Sequence, residues 1–405
     1  MKRGIRQKLK KIAQKVILPF CYFVNCPKKV IPGRVVLADA HHDKCPEHMS
    51  LVRDRLRLAN YDLEEWYVDL SKYSTFSGLK KMCSFMKVYA QAEYVFICDN
   101  FLPVASCNKK AKTTVIQLWH GCGAFKKFGY DTSEDCFGYS EHVYRNHDIV
   151  TVTSDKCAPI YSHAMHLPAK YIQVLGNSFT DRLFEKDYIE ACEAKLRYGY
   201  SDIDGRKVVV WAPTFRGYAD AAGLFGEEYI DALSKDPELC NKIYVIKCPH
   251  PHIKATETIT KSDCTMQTDE LIPVCDVLIT DYSSVFFEGL LCDVPLVFFA
   301  PDYNTYAHTR GFYLDYEKLP GEIIKGEVDD KVRRVKNTMD PDLYERLKKG
   351  LLCALEQPEM YAEKRARYRR LYMSACDGTA TDKILTAAIK GYHSPFGDDV
   401  NKEKK

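Results

Sequence analysis

Three stretches of this sequence deliver reactive side chains directly after short apolar runs. The first is Val115-Ile116-Gln117-Leu118-Trp119-His120-Gly121-Cys122-Gly123, followed closely by Lys126 and Lys127. A strand that ends at His120 sets an imidazole beside glycines that allow a ligand close to the backbone, with positive charge nearby. A neutral imidazole there can take a proton from a hydroxyl near pH 7. Cys122 is a rival nucleophile with no activating partner legible in the sequence.

The second stretch, Val208 to Gly217, ends a strand at Ala212-Pro213-Thr214-Phe215-Arg216. Arg216 has the geometry to grip a diphosphate through two donors. Downstream, Cys248-Pro249-His250-Pro251-His252 fixes His250 between two prolines. His250 and His252 suggest a metal pair, but no nearby carboxylate completes the set. In the third stretch, Val277-Leu278-Ile279-Thr280 leads into Asp281-Tyr282-Ser283-Ser284 and then an apolar helix. Ser283 or Ser284 serves as an N-cap on one reading. On the other, free N–H groups, hydroxyls and the helix dipole converge on a phosphate, and Glu288 accepts from ribose hydroxyls one turn later.

These residues must be positioned by alternating strands and helices. The strand candidates are Arg34–Ala38, Tyr61–Asp69, Glu93–Cys98, Thr114–Trp119, Ile149–Thr153 and Tyr171–Leu175, then Val208–Ala212, Ile243–Lys247, Val277–Thr280 and Leu296–Phe299. Helical patterns such as Glu47–Leu58 and Gly78–Ala90 lie between them. Such alternation implies parallel sheets with right-handed crossovers. The polar connection Asp187–Arg206 divides two series. The expected fold class is therefore α/β, with two Rossmann-like domains facing a cleft, spanning 31–187 and 188–390, and a disordered tail at 391–405.

Composition narrows the class. The chain has 405 residues, 46% apolar and 28% charged, which fits a globular protein of two domains. Its 17 cysteines include no C-x-x-C pair, so zinc and redox motifs lack support and reduced cytosolic thiols are expected. No dedicated metal cage is legible, and no cofactor is required; Mg²⁺ accompanying a phosphate ligand stays open.

The net charge of +3 is too small for a dedicated nucleic-acid binder, but it is unevenly spread. Residues 1 to 29 carry nine basic and no acidic residues, leaving about −6 for the rest. Ile5, Leu9, Ile12, Ala13, Val16 and Phe20 form one helical stripe, with Arg3, Lys8, Lys10, Lys11 and Lys15 around it. Residues 1–30 therefore read as a basic amphipathic helix lying on an anionic membrane surface. Each basic residue contributes roughly 1 kcal/mol to such binding. The alternative is a helix packed on its own domain.

Taken in order, the motifs resemble those of the CDP-glycerol glycerophosphotransferase family of teichoic acid synthesis, over about Trp119 to Asp382. They comprise Trp119-His120-Gly121 with Lys126, Gly176 with Asp181 and Phe184, Ala212-Pro213-Thr214-Phe215-Arg216, and Lys247 with Pro249-His250-Pro251. Ile279-Thr280-Asp281-Tyr282-Ser283-Ser284, Asp302-Tyr303, Arg310-Gly311-Phe312-Tyr313 and Asp377-Gly378-Thr379-Ala380 complete the series.

The resemblance implies a glycosyltransferase-B-type fold at the cytoplasmic face of the membrane. It also implies transfer of glycerol phosphate from CDP-glycerol to an undecaprenyl-diphosphate-linked saccharide, with release of CMP. His120 and His250 would be the catalytic histidines. Thr214, Arg216, Asp281, Ser283, Ser284 and Glu288 would hold the donor, and Gly121, Lys126 and Arg310 would lie in acceptor-side loops. The turn after His120 is closer to the primase-like branch than to polymerases. CDP-ribitol as donor, a capsule polymerase of the same fold and a non-catalytic membrane-associated binding protein are the alternatives.

Overall fold

A computed structural model describes residues 9–132, 142–214, 216, 225–248, 265–327 and 339–396. The chain divides into two compact units. One comprises 1–121, 128–181 and 374–405; the other comprises 122–127 and 182–373.

The first unit is built on β1 (Val35–Asp39), β2 (Leu63–Tyr67), β3 (Tyr94–Ile97), β4 (Thr114–Gln117), β5 (Ile149–Val152) and β6 (Ile172–Val174). All its pairings are parallel, in the order β2-β1-β3-β4-β5-β6. Side chains alternate across a strand, and the core splits accordingly. Val35 and Leu37 pack with Met49, Val52 and Leu56 of the Glu47–Leu58 helix. Val36 and Ala38 pack on the other face with Phe85, Met86 and Tyr89 of the Thr75–Tyr89 helix. Both faces are covered, which explains the uninterrupted apolar run of β1.

The second unit carries β7 (Lys207–Ala212), β8 (Ile243–Lys247), β9 (Val277–Thr280), β10 (Leu296–Ala300) and β11 (Glu322–Lys325), all parallel in the order β11-β10-β9-β7-β8. The edge strand β11 has polar ends, Glu322 and Lys325, and escapes an apolar-run reading. Phe299 faces Tyr229 of the Glu227–Lys235 helix, whereas its neighbour Phe298 meets Phe286 of the Val285–Leu291 helix. Counted from its own first strand, this sheet has the order 2-1-3-4-5, and the first sheet extends the same order by one strand. Both are doubly wound sheets of the flavodoxin-type order, and their switch point lies between the first and third strands.

One expectation changes at the C-terminus. The Ala380–Ala388 helix, expected in the second domain, packs through Ile384, Leu385 and Ala388 on the β1–β4 face of the first unit. Asp181 fastens it there, accepting from the amides of Ala380 (2.9 Å) and Thr381 (2.7 Å) and from the Thr381 hydroxyl (2.7 Å). Gly176 passes so close to the Ala375 carbonyl that a Cβ would lie 2.5 Å from it. The Gly176, Asp181 and Asp377–Ala380 motifs thus form one structural joint between segments 200 residues apart. Of the expected tail 391–405, residues 391–396 are described and 397–405 lie outside the described residues.

The described part of the N-terminal segment has both buried and exposed apolar residues. Leu18 and Tyr22 are buried in the first unit's core, and the Tyr22 hydroxyl accepts from the Lys110 amide at 3.1 Å. Pro19 cannot donate to the helix, and a π-type turn over Ala13–Ile17 precedes it. Leu9, Ile12, Val16, Phe20 and Phe23 face outward, Phe20 at 64% and Phe23 at 72% exposure. No helix among the described residues is long and apolar enough to cross a membrane.

Leu385→Ala should destabilise the protein by about 2–5 kcal/mol, as large-to-small changes in a core do. Denaturant melts followed by a Trp66 or Trp119 fluorescence signal in the first unit would check this.

Candidate functional site

In doubly wound sheets, ligands bind beyond the carboxyl ends of the strands that flank the switch point. In the first unit these strands are β1 and β3, and the residues that follow them are titratable. Asp39 ends β1, and its Oδ1 accepts from the amides of His41 and His42 and from His42 Nδ1, each at 2.8 Å. Burial alone would raise the Asp39 carboxyl, but the His42 ring and the His41 amide outweigh it and hold it below the usual value. The same bond raises His42 above the ordinary histidine value.

His120 follows β4, next to β3. The strand stops at Gln117 rather than at Trp119, because Trp119 adopts a left-handed conformation with φ +62. A bulky residue there is strained and must be held by its surroundings. The buried Gln117 side chain accepts from the Trp119 amide at 3.0 Å and donates to the Asp99 carbonyl at 3.1 Å. The indole meets Phe128 and Tyr161 and stacks on the His120 ring with centroids 4.6 Å apart. The turn thereby aims His120 outward, 46% exposed.

His120 Nδ1 lies 3.2 Å from the Cys98 carbonyl. A carbonyl oxygen only accepts, so this nitrogen carries the proton in the bond and Nε2 keeps its lone pair. His48 meets the His120 ring edge-on at 6.4 Å, and desolvation drives its pKa down to about 3, so it stays neutral. Asp39, His41, His42 and Asp99 are absent from the sequence-derived site. The signal for the first three was present in Ala38-Asp39-Ala40-His41-His42, a strand end rich in titratable groups. Gly121, just beyond His120, accepts from Asn177 Nδ2 at 2.9 Å.

After Gly121 the chain enters the second unit. Gly123 has φ +61, and a Cβ there would lie 2.3 Å from the Phe287 ring. The glycine was expected to admit a ligand; it serves close packing instead. Lys126 pairs with Phe312 in an antiparallel bridge, and Arg310 Nε donates to the Lys127 carbonyl at 2.9 Å. Lys126 and Arg310 therefore lie on two adjacent segments of the second unit.

The second unit's switch point lies between β7 and β9. Thr214 follows β7 and Asp281 follows β9, and the Thr214 amide donates to Asp281 Oδ1 at 2.8 Å. The Thr214 hydroxyl is buried and has no hydrogen-bond partner among the described residues. Arg216 differs from the expected diphosphate ligand. Its Nε and Nη2 donate to Asp302 at 2.7 and 2.9 Å, Nη2 also to Asp281 at 2.9 Å, and Nη1 to the Thr214 carbonyl at 2.6 Å. The guanidinium lies over Tyr282 and Tyr306, 4.8 and 4.9 Å from the ring centroids. Burial opposes its charge, but Asp281 and Asp302 more than compensate and raise its pKa. Arg216 is thus a structural centre that ties the loops after β7, β9 and β10 together, and Asp281 is its counter-ion.

Ser283 Oγ accepts from the Val285 amide at 3.3 Å, while the N-cap residue Ser284 makes no capping bond with its hydroxyl. Glu288 lies one turn into the helix. Desolvation, with a smaller push from Asp269, raises its carboxyl to about 8, so it is protonated at pH 7 and can donate as well as accept. His250 lies outside the described residues. No group of three His, Cys, Asp or Glu able to hold a metal is found among the described residues.

Two parallel sheets, each with polar side chains at its switch point, make this an α/β protein of the doubly wound class. Comparison with known proteins narrows the class. The signature of the CDP-Glycerol:Poly(glycerophosphate) glycerophosphotransferase family matches residues 21–390, and the chain belongs to that family of CDP-alcohol phosphotransferases. It is 32% identical over 272 residues to the teichoic acid ribitol-phosphate primase of Bacillus spizizenii, covering 62% of this chain and 68% of the primase. It is 28% identical over 239 residues to the teichoic acid glycerol-phosphate primase of Bacillus subtilis, covering 56% of this chain and 61% of that one. The fold is similar to that of the wall teichoic acid polymerase TagF, with a TM-score of 0.66, 20% identity and coverage of 94% of this chain and 95% of the other.

Arg216→Met should cost about 3–5 kcal/mol, because it leaves two buried carboxylates without their counter-charge; chemical denaturation measures this directly. The Glu288 proton gives a separate signature. Between about 4.5 and 8 the unfolded chain has lost this proton and the folded chain retains it, so stability falls as pH rises through that window. Glu288→Gln should flatten that fall, read as the difference in Tm between about pH 5 and pH 8.

Proposed function

We propose that the protein transfers glycerol phosphate from CDP-glycerol to a hydroxyl of an undecaprenyl-diphosphate-linked saccharide and releases CMP. The observation that carries this reading is the exposed His120 ring, whose Nδ1 is engaged by the Cys98 carbonyl while Nε2 is left to accept a proton. Nε2 takes the acceptor hydroxyl proton, the hydroxyl oxygen bonds to the β-phosphorus, and the bond from that phosphorus to the bridging oxygen of CMP breaks. The chemistry is mostly positioning and charge stabilisation, which suits a base held by a strained turn. On the donor side, the buried Thr214 hydroxyl, Ser283, Ser284 and Glu288 are the groups we assign to the CDP-alcohol, with Arg216 and Asp281 shaping their loops. His250 is assigned with them on the strength of its motif.

Ribitol phosphate is the second reading for the transferred unit, favoured by the 32% identity to a ribitol-phosphate primase. We further assign the protein to the cytoplasmic face of the membrane as a peripheral protein. The outward row Leu9, Ile12, Val16, Phe20 and Phe23, flanked by Lys10, Lys11 and Lys15, supports attachment through the N-terminal helix.

His120→Ala should abolish CMP release from CDP-glycerol and CDP-ribitol in the presence of a synthetic undecaprenyl-diphosphate disaccharide. Binding of the donor, followed by calorimetry, should persist. Retained turnover in this variant would remove the base assignment. For the membrane reading, Phe20→Ser with Phe23→Ser should weaken co-sedimentation with phosphatidylglycerol vesicles by about tenfold or more, since each buried aromatic side chain contributes about 1.5–3 kcal/mol.

A further inference from the structure

The carboxyl ends of β1, β3 and β4 bring a second acidic group to His120 that no motif of the family reading includes. Asp99 follows β3, and its two oxygens face different partners. Oδ1 accepts from the Asn100 amide at 2.5 Å, which fixes the carboxylate against its own loop. Oδ2 lies 3.7 Å from His120 Nδ1 and 3.7 Å from His41 Nε2, between the two imidazoles. The loop is itself fastened to the His120 turn, because Gln117 bonds both the Asp99 carbonyl and the Trp119 amide. Base and carboxylate therefore belong to one braced assembly.

We propose that Asp99 is a positioning residue for His120. This rests on the reading of His120 as the base. As the imidazole takes up the acceptor proton it becomes a cation, and Oδ2 stands on the side of the ring opposite the reacting nitrogen. The carboxylate stabilises that cation and favours the tautomer with the proton on Nδ1, the same office a buried Asp performs for the histidine of a serine protease. The Cys98 carbonyl shares the tautomer-setting role at 3.2 Å, so the carboxylate contributes chiefly through charge. Other titratable groups face the assembly. His41 shares Oδ2; His42 is held by Asp39; and neutral His48 closes the ring edge. None of them offers a second anion directly to His120 Nδ1, since Asp39 Oδ1 is committed to His42 and Oδ2 lies 3.6 Å from the Cys98 thiol.

The test compares full-length wild type, Asp99→Asn, Asp99→Glu and His120→Ala. Turnover uses CDP-glycerol and CDP-ribitol with the undecaprenyl-diphosphate disaccharide, donor affinity uses calorimetry, and ¹⁵N-histidine NMR reads the His120 tautomer without any acceptor. Asp99→Asn keeps the Oδ1 acceptor for Asn100, so its melting temperature should match wild type. It should lower kcat by about 10- to 100-fold, the usual cost of removing the partner that orients a functional histidine. Donor affinity should stay unchanged, the Nε2-protonated fraction of His120 should rise, and Asp99→Glu should recover most of the loss. An unaltered tautomer with kcat within about threefold of wild type would overturn the proposal. So would loss of donor affinity together with melting temperature, which would mark Asp99 as scaffold. If His120→Ala retains turnover, the base reading itself fails; if it is inactive while Asp99→Asn is not, only the role of Asp99 fails. Should no donor turn over, the NMR signature alone decides it.

Discussion

Where the winding of a parallel sheet reverses direction, the loops after two neighbouring strands leave toward opposite faces, and a crevice opens between them at their carboxyl ends. Everything chemically notable in this protein follows from that constraint, applied once in each unit. The first unit's β1 and β3 carry Asp39, His41, His42 and Asp99 to such a point, with His120 arriving from the adjacent β4. In the second unit, β7 and β9 bring Thr214, Arg216 and Asp281 together. Neither set is contiguous in sequence. Both depend on fully covered sheets whose apolar strands cannot slip without exposing one face.

Rigidity at these points is obtained differently in the two units. The first relies on a strained residue, Trp119, fastened by a buried amide and packed between aromatic rings. Holding an imidazole by its neighbour's backbone leaves the ring itself exposed for chemistry. The second relies on a buried cation with two counter-ions and two aromatic faces. Arg216 thereby ceases to be a free charge and becomes the joint of three loops. Such a group is costly to bury and more costly to orphan, so the loops stand or fall together. The Asp181 joint plays a comparable part at the far end of the chain, because its carboxylate satisfies buried amides at a helix start.

Much of this was legible in the residues themselves. The apolar runs located ten of the eleven strands among the described residues, and the missing one, β11, is a polar-ended edge. Alternation of strands and helices pointed to parallel sheets, since parallel neighbours need a long crossover and a helix supplies one. His120, Thr214, Asp281, Ser283 and Glu288 were singled out because reactive groups directly after apolar strands lie where such sheets bind ligands. Of the N-terminal stripe drawn from its period, Leu9, Ile12, Val16 and Phe20 are exposed, whereas Ala13 is buried, as are Leu18 and Tyr22, which pack in the first unit's core.

What sequence determined, then, was the identity of the elements and the residues at their ends, because period and polarity are local properties. Tertiary structure decided the roles. Only the fold shows that Arg216 is spent on two carboxylates from distant loops, that Gly123 makes room for a phenyl ring, and that the last helix returns to the first sheet. It alone brings Asp99 beside His120, because their neighbourhood is set by strand order and not by distance along the chain. Partnership and burial depend on which strands become neighbours, and a linear pattern carries no record of that choice.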